Sequence, residues 1–331
     1  MLSIRGLSRN ENDMRVLITD NTHPVLCQKL TAAGAEVVVD VSHTYESLLR
    51  CVDDFDALVV RSKIIIDAPF IDRCSRLKCI GRVGAGMETI DVDYAESKGI
   101  RCLNSPEGNR DAVGEHAVAL LLALMAKVVV ADAEVRQGLW QREANRGVEL
   151  MGKTVGIVGM GNMGGAFARR LVGFGCRVLA YDLLGDKASG FAQAPFAEPV
   201  SLQQLQHECD VVSLHVPLTP ATRYLVDGTF LGAFAKPFYL INTARGAVVH
   251  TPSLVDALER GLVLGAGIDV MEYEDMTKDG LSEAMRHDDF RYLQQSPRVV
   301  LTPHVGGWTV ESKYKLAAVL ADKIAASLGL S

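Results

Sequence analysis

Hydrophobic residues in the first third of the chain fall into short runs that predict the strands of a parallel sheet. The runs are brief, apolar and rich in β-branched residues, as expected of strands that are buried on both faces. They cover residues 15–19, 36–39, 57–60, 78–83 and 100–103. Between them, residues 24–33 and 92–98 have the pattern of helices. This alternation of strand and helix indicates an α/β domain with helices on both faces of the sheet.

The same alternation returns later in the chain and predicts a second domain. A long helix is expected from about Asn109 to about Gly138, followed by a polar arm from Trp140 to Glu149. Further strands are predicted at 154–158, 177–181, 210–216, 238–244, 264–270 and 298–303, and a final helix at 311–328. We therefore expect two doubly wound parallel-sheet domains in the 331 residues, a length that is sufficient for both.

Composition narrows the possible partners. Hydrophobic residues make up 48% and charged residues 22% of the chain, which is typical of a globular protein. The net charge is −6 with no basic run, so no nucleic-acid partner is expected, and an anionic substrate must be bound by a local group of Arg or Lys. No apolar run reaches the ~18 residues of a membrane helix, so no membrane partner is expected. The seven cysteines form no CxxC pair, which favours reduced thiols in a cytoplasmic protein and no metal site.

A glycine motif at residues 159–164 predicts a dinucleotide site. Gly159-Met160-Gly161-Asn162-Met163-Gly164 follows a predicted strand and opens a helical pattern. The first glycine permits a tight turn, the second lets the backbone approach a pyrophosphate, and the third lets helix and strand pack closely. Asp182 ends the next predicted strand, where a carboxylate binds the ribose hydroxyls and repels a 2′-phosphate. The motif therefore favours NAD over NADP.

Four polar groups follow the ends of later strands and suggest the oxidation of a 2-hydroxy acid: residues 242–246 with Arg245, Asp269, Glu274 and His304. A hydroxyl group must lose its proton before it can lose hydride, and His304 is the expected base. A carboxylate such as Glu274 would orient the imidazole ring, and Arg245 would hold the carboxylate of the substrate. Taken singly, each side chain is equally consistent with an ordinary surface or loop residue; their occurrence together behind the glycine motif favours catalysis.

The chain resembles a known family from about Met14 onward. The sequences GKTVGIVGMGNMG, HVPLTPAT, NTARG, GAGIDV and TPHVGG occur in the order found in the D-isomer-specific 2-hydroxyacid dehydrogenases. The resemblance implies an NAD-binding Rossmann domain at 107–304 and a discontinuous, flavodoxin-like substrate domain at 14–106 plus 305–331, with residues 1–13 as a disordered extension. It also implies that the protein is a homodimer.

The resemblance further assigns site residues. Arg245, Glu274 and His304 match the catalytic triad. The residues expected to contact NAD are Gly159, Gly161, Asn162, Met163, Gly164, Asp182, Val216, Pro217, Thr243, Ala244, Arg245, Asp269, His304 and Gly307.

A second group of residues is expected to bind the substrate. It comprises Arg61, Ser62, Arg82, Gly84, Ala85, Gly86 and Arg142. A glycine-rich turn offers backbone N–H groups to an anion. Within the family this pattern is most similar to the 3-phosphoglycerate dehydrogenases, in which matching arginines bind the phosphate and the third reaches in from the partner subunit. The chain would then be a short form without a regulatory domain, acting in serine biosynthesis.

Alternative functions remain open from the sequence alone. The arginines could serve the dimer interface and the substrate carboxylate only, as in a hydroxypyruvate or glyoxylate reductase or a D-lactate dehydrogenase. A non-catalytic NAD-binding corepressor is disfavoured because Arg245, Glu274 and His304 are all present. The segment 278–295 is longer than expected, and its residues LSEAMRHDDF predict an extra helix near the active-site mouth. Trp308 and Ala85 also depart from common family residues.

Overall fold

The computed structural model describes residues 14–274 and 286–330, which form two compact units. Unit 1 comprises Met1–Asn109 with Val310–Ser331, and unit 2 comprises Arg110–Thr309. The boundaries predicted at 106 and 304 lie a few residues earlier than these. The predicted extension at 1–13 and the first half of the helix predicted at 281–290 lie outside the described residues, and residues 288–290 open a helix.

Unit 1 is built on a parallel sheet of five strands in the order β2-β1-β3-β4-β5. The strands are β1 (Arg15–Ile18), β2 (Glu36–Val39), β3 (Ala57–Val60), β4 (Cys79–Arg82) and β5 (Arg101–Asn104). The helices are α1 (Val25–Ala32), α2 (Tyr45–Leu48), α3 (Ala68–Ile71), α4 (Val92–Ser97) and, from the far end of the chain, α12 (Val310–Leu328). This is the strand order of the flavodoxin-like fold that the sequence predicted.

Residues alternate along the strands of unit 1 between two apolar layers. Leu17 and Ile80 pack into the layer on one face of the sheet, whereas Val16 and Cys79 pack into the layer on the other. Helix α12 covers the second layer, and a Cβ atom at Gly81 would lie only 2.8 Å from Ile324 Cδ1 of that helix. Sheet strands with two buried faces read as continuous apolar runs, which explains the pattern in the sequence.

Unit 2 contains a parallel sheet of seven strands in the order β12-β11-β10-β9-β6-β7-β8. Its strands are β6 (Thr154–Val158), β7 (Arg177–Tyr181), β8 (Glu198–Pro199), β9 (Val211–Leu214), β10 (Phe238–Asn242), β11 (Val263–Ile268) and β12 (Val299–Leu301). Its helices are α5 (Arg110–Met125), α6 (Val128–Arg136), α7 (Asn162–Arg170), α8 (Leu202–Glu208), α9 (Gly228–Gly232), α10 (Thr251–Glu259) and α11 (Asp288–Gln295). The strand order reverses direction between β6 and β9, which is the position at which open α/β sheets bind ligands.

The long helix predicted from about Asn109 to Gly138 is wrong, because the helix is interrupted. Helix α5 ends at Met125, Lys127 has a positive φ of 54°, and α6 starts at Val128. The N–H group of Val148, on the returning polar arm, donates to the Met125 carbonyl at 2.9 Å. A continuous helix would use that carbonyl for its own next turn, so the returning arm ends α5 at this point.

The described residues contain neither a membrane-spanning helix nor a metal-binding cluster. In 14–274 and 286–330 no helix is long and apolar enough to cross a membrane. The same residues contain no cluster of His, Cys, Asp and Glu side chains arranged to hold a metal ion.

Candidate functional site

The glycine motif forms the connection from β6 to α7 at the reversal point of the sheet. Gly159 has a φ of 94°, and a Cβ atom there would lie 2.8 Å from the backbone of His215. At Gly164 a Cβ atom would collide with the carbonyl oxygen of Gly159. Gly161, by contrast, precedes α7 and has open space where a Cβ atom would point. Glycine is therefore required at position 159 for the turn and at position 164 for the close packing. The open space at Gly161 leaves the start of α7 accessible to a phosphate.

Asp182 directly follows β7, the neighbour of β6. Its Oδ2 atom accepts a hydrogen bond from the Met160 N–H at 2.7 Å, and Oδ1 accepts one from Leu184 at 2.9 Å. Each oxygen keeps an unused lone pair, because a carboxylate oxygen can accept two such bonds. Asp182 therefore braces the glycine loop and can still accept hydrogen bonds from a ribose.

The remaining residues expected to contact the cofactor lie beyond the carboxyl ends of the strands on the other side of β6. They are Val216 and Pro217 after β9, Thr243 and Ala244 after β10, Asp269 after β11 and Gly307 after β12. The Thr243 hydroxyl is buried and has no hydrogen-bond partner within the described chain. The accessible start of α7 and this orphaned hydroxyl fit a dinucleotide lying along the edge of the sheet.

Asn242 shapes the turn that carries Arg245. The sequence analysis included it in the NTARG motif but assigned it no role. Its Oδ1 atom accepts a hydrogen bond from the Ala244 N–H at 3.1 Å, and its Nδ2 group donates to the Arg245 carbonyl at 3.1 Å. The Arg245 guanidinium in turn donates to the Ala244 carbonyl at 2.6 Å. These side-chain to backbone bonds hold the start of the turn.

The structure places His304 and Glu274 in direct contact. His304 Nδ1 lies 2.5 Å from Glu274 Oε1, and the two side chains are 30% and 22% exposed. A carboxylate accepts hydrogen bonds, so Nδ1 is the protonated ring nitrogen and Nε2 remains available for a substrate proton. Arg245 follows β10, and His304 follows β12, with β11 between these two strands.

Asp269 is a buried carboxylate that anchors the segment carrying His304. Burial by itself would raise the pKa of Asp269, but hydrogen bonds from His116, Thr302 and the N–H groups of Gly306 and Val305 outweigh it and lower the pKa. The carboxylate is thus held as an anion, which the hydrogen bonds stabilise. His116, on α5, was not identified from the sequence.

His215 is a second residue that sequence reasoning missed. It lies beneath the glycine loop, with its Nε2 atom 2.8 Å from Ser213 Oγ and its ring 5.2 Å from that of Phe167. Burial lowers the pKa of His215 to about 3, so the ring is neutral. Its place in the HVPLTPAT motif indicated that His215 lies near the cofactor site. The motif did not indicate a role for the imidazole.

In unit 1 the structure brings Arg61, Arg82 and the glycine-rich turn together. Arg82 Nε donates to the Arg61 carbonyl at 3.4 Å, and its guanidinium lies against Gly84. In residues 14–274 and 286–330 the N–H groups of Gly84, Ala85 and Gly86 have no hydrogen-bond acceptor. Backbone N–H donors beside the Arg82 guanidinium are the kind of groups that bind an anion.

Two charged residues beside this turn were not identified from the sequence. Asp20 is buried and accepts a hydrogen bond from the Arg61 N–H at 2.8 Å. Lys63 lies 3.9 Å from Asp20 and is mostly exposed, beside Ser62. Arg142 belongs to unit 2, where it lies exposed on a turn after α6.

Comparison with known proteins identifies relatives along most of the chain. Residues 118–306 match the family model described as the NAD-binding domain of D-isomer-specific 2-hydroxyacid dehydrogenases. The chain is 35% identical over 285 residues to hydroxypyruvate reductase of Thermotoga maritima, covering 86% of this chain and 89% of that protein. It is 36% identical over 315 residues to D-3-phosphoglycerate dehydrogenase of Mycobacterium bovis, covering 95% of this chain but only 56% of that protein. Among solved structures, the TT0316 protein of Thermus thermophilus is similar with a TM-score of 0.78 and 34% identity, covering 96% of this chain and 97% of that one.

Proposed function

The chain belongs to the D-isomer-specific 2-hydroxyacid dehydrogenases and is an NAD-dependent oxidoreductase, and we propose that its substrate is 3-phosphoglycerate or the corresponding keto acid, 3-phosphohydroxypyruvate. The observation that carries this proposal is the anion site of unit 1. It combines the Arg82 guanidinium, which contacts the backbone of Arg61, with three backbone N–H groups that have no acceptor among the described residues. A reaction of this substrate would place the enzyme in serine biosynthesis.

We propose the following catalytic roles, which the geometry of unit 2 supports. His304 moves the proton of the reacting hydroxyl at Nε2, and Glu274 holds the ring through Nδ1. Arg245 binds the substrate carboxylate and polarises the reacting oxygen. NAD supplies the hydride acceptor, held by the glycine loop and Asp182.

The phosphate preference is supported by the chemistry of the guanidinium group. Arginine makes two parallel charge-assisted hydrogen bonds to a phosphate, and the N–H groups of the turn can bind a carboxylate at the same time. We propose that Arg61 and Arg82 bind the phosphate while Ser62 and the Gly84–Gly86 turn bind the carboxylate. Arg142 of the partner subunit completes the phosphate site.

Turnover on paired substrates tests the proposal. Arg61→Ala and Arg82→Ala should each lower kcat/KM on 3-phosphohydroxypyruvate by about tenfold to a hundredfold, the effect of losing a hydrogen bond of about 1.5–3 kcal/mol to a charged group. Hydroxypyruvate lacks the phosphate, so its kcat/KM should change by less than about threefold. The kcat/KM of Arg82→Lys, which keeps the charge, should lie between those of Arg82→Ala and the unchanged protein. Arg73→Ala removes an exposed arginine elsewhere in unit 1 and serves as the control. Equal losses on both acids would contradict the phosphate site.

A hydroxypyruvate reductase is the second candidate, favoured by one observation. The chain is 35% identical over 285 residues to the hydroxypyruvate reductase from Thermotoga maritima. A panel of 3-phosphohydroxypyruvate, hydroxypyruvate, glyoxylate and pyruvate, followed by NADH absorbance, separates the candidates. The preferred acid is the one with the highest kcat/KM.

We also propose a cytoplasmic homodimer. Helix α6 has no buried residue in the described chain, and large apolar side chains are exposed along it and the following arm. They are Val128, Val129, Val135, Leu139 and Trp140. A second copy of this chain would remove this apolar surface from water. The seven free cysteines, several of them buried, favour a reducing compartment.

A further inference from the structure

The segment that carries His304 is held by one buried side chain. Asp269 is 2% exposed, and its Oδ1 atom accepts hydrogen bonds from the Thr302 hydroxyl at 2.6 Å and the Val305 N–H at 2.9 Å. Its Oδ2 atom accepts one from the Gly306 N–H at 2.8 Å. The Asp269 carbonyl also accepts from the His304 N–H at 2.8 Å. Residues on both sides of His304 are therefore tied to Asp269.

This anchoring is required because His304 has an unfavourable backbone conformation. Its φ is 54°, a value that residues with a Cβ atom rarely adopt. Such a conformation persists only where the surroundings impose it. A weaker anchor would let the segment relax and would move the imidazole relative to Glu274.

His116 completes the anchor from a different element. On α5, its Nε2 atom lies 3.0 Å from Thr302 Oγ1 and 3.2 Å from Asp269 Oδ1. The Thr302 hydroxyl gives its only proton to Asp269, so it can only accept from His116, whose Nε2 must carry a hydrogen. The ring also borders Gly306, where a Cβ atom would lie 3.3 Å from His116 Cδ2 and 2.8 Å from Asp269 Oδ2.

We infer that His116 is a positioning residue for the reaction: through Thr302 and Asp269 it holds the 302–306 segment in the conformation that presents His304 to the substrate. It acts through other residues and does not itself exchange a proton with the substrate. The inference rests on the proposed role of His304 but not on the identity of the hydroxy acid. Each variant is therefore assayed with whichever acid the unchanged protein turns over best.

Two substitutions at His116 test the inference. His116→Phe keeps a ring but loses the N–H donor, and it should lower kcat by about tenfold to a hundredfold, as expected for the loss of a hydrogen bond to a charged group. The KM and the fluorescence-measured Kd for NADH should change by less than about threefold. His116→Gln carries an N–H donor and should recover most of kcat. His207→Phe, on an exposed position of α8, is the matched control and should leave kcat and KM unchanged.

An isotope effect separates positioning from general damage to the fold. NADH deuterated at the transferred position gives the isotope effect on kcat. This isotope effect should be larger in His116→Phe than in the unchanged protein if the substitution slows the proton and hydride step itself. A loss of folded protein would lower kcat and leave that isotope effect unchanged, which would overturn the inference. So would a His116→Gln variant as impaired as His116→Phe, or an unchanged kcat in His116→Phe. A substrate panel that fails to favour the phosphorylated acid would refute the substrate proposal alone.

Discussion

The Asp182 carboxylate accepts a hydrogen bond from the Met160 N–H of the glycine loop, and it keeps lone pairs that can accept hydrogen bonds from a ribose. Asp182→Asn keeps an oxygen for the Met160 N–H but removes the charge that repels a 2′-phosphate. We expect the ratio of kcat/KM with NAD to kcat/KM with NADP to fall by about tenfold to a hundredfold, the worth of one charge-assisted contact.

Steady-state kinetics with both cofactors measures this ratio directly. Asp186→Asn, at an exposed position in the same loop, is a suitable control. A ratio that does not move in Asp182→Asn would remove Asp182 from its role as the ribose-binding residue.

The buried imidazole of His215 predicts a pH dependence of stability. Its pKa is lowered to about 3 in the folded protein from the ordinary value of 6.5, because burial disfavours the charged ring. Between these pH values the unfolded chain binds a proton that the folded chain does not. His215 therefore lowers the free energy of unfolding as pH falls below about 6.5, by up to about 1.4 kcal/mol per pH unit.

His215→Asn should remove this contribution and give a shallower fall. Urea unfolding followed by circular dichroism at several pH values below about 6.5 measures the slope. Ser213→Ala keeps the buried imidazole and should retain the steep slope. Equal slopes in His215→Asn and the unchanged protein would show that His215 does not titrate in this range.

Single residues differ in how far the sequence could reveal them. The glycine motif and Asp182 are defined by local spacing, and the structure does place β6 and β7 side by side. His116 could not be found in this way. Its contact with Thr302 joins positions 186 residues apart, and only the packing of α5 in unit 2 brings them together. An unfavourable φ at His304 likewise leaves no trace in the residue type.

At the scale of elements, the backbone of helix α12 packs directly against the backbone at Gly108. A Cβ atom at Gly108 would lie 2.5 Å from the backbone nitrogen of Leu316, so the helix would have to move. Gly108→Ala should lower the free energy of unfolding of unit 1 by about 1–3 kcal/mol, the usual cost of overpacking. Thermal or urea unfolding measures the difference.

Gly81→Ala, on β4 facing the same helix, is the matched control. Its Cβ atom would meet side-chain atoms only, Ile324 Cδ1 at 2.8 Å and Leu320 Cδ1 at 3.3 Å, and these can rotate away. Its cost should be clearly smaller than that of Gly108→Ala. The reverse order would mean that α12 shifts as a whole more easily than Ile324 rearranges.

Elements were predictable where their pattern is local. The strands of both sheets lie within one or two residues of most of the predicted runs, because strands buried on both faces must be apolar throughout. The break at Lys127 was not predictable, since it depends on Val148 returning to the Met125 carbonyl. Strand β8 has only two residues, which are too few to show a hydrophobic pattern in the sequence. It is a strand because it pairs with β7.

At the scale of the whole molecule, the proposed dimer predicts that two inactive variants can restore activity together. If Arg142 acts in the partner subunit's site, mixing Arg142→Ala with His304→Ala subunits gives heterodimers with one doubly defective site and one intact site. Activity should then return to a substantial fraction of that of the unchanged dimer. If Arg142 acts within its own subunit, every site carries one defect and activity stays low.

The two variants are unfolded and refolded together, and heterodimers are purified by means of two different affinity tags. Each homodimer of a single variant, treated in the same way, is the control. Heterodimers that form but show no more activity than the homodimers would rule out the contribution of Arg142 across the interface.

The return of α12 to unit 1 has a consequence for the order in which the protein folds during its synthesis. Residues 14–109 leave the ribosome before unit 2, yet the apolar layer that includes Val16 and Cys79 is covered only by α1 until α12 has been made. All of unit 2 is synthesised in between, which takes roughly 10–40 s at the usual rate of about 5–20 residues per second. The unit encoded second can therefore complete its core first. Until α12 emerges, the sheet of unit 1 exposes part of an apolar face of the kind that chaperones bind.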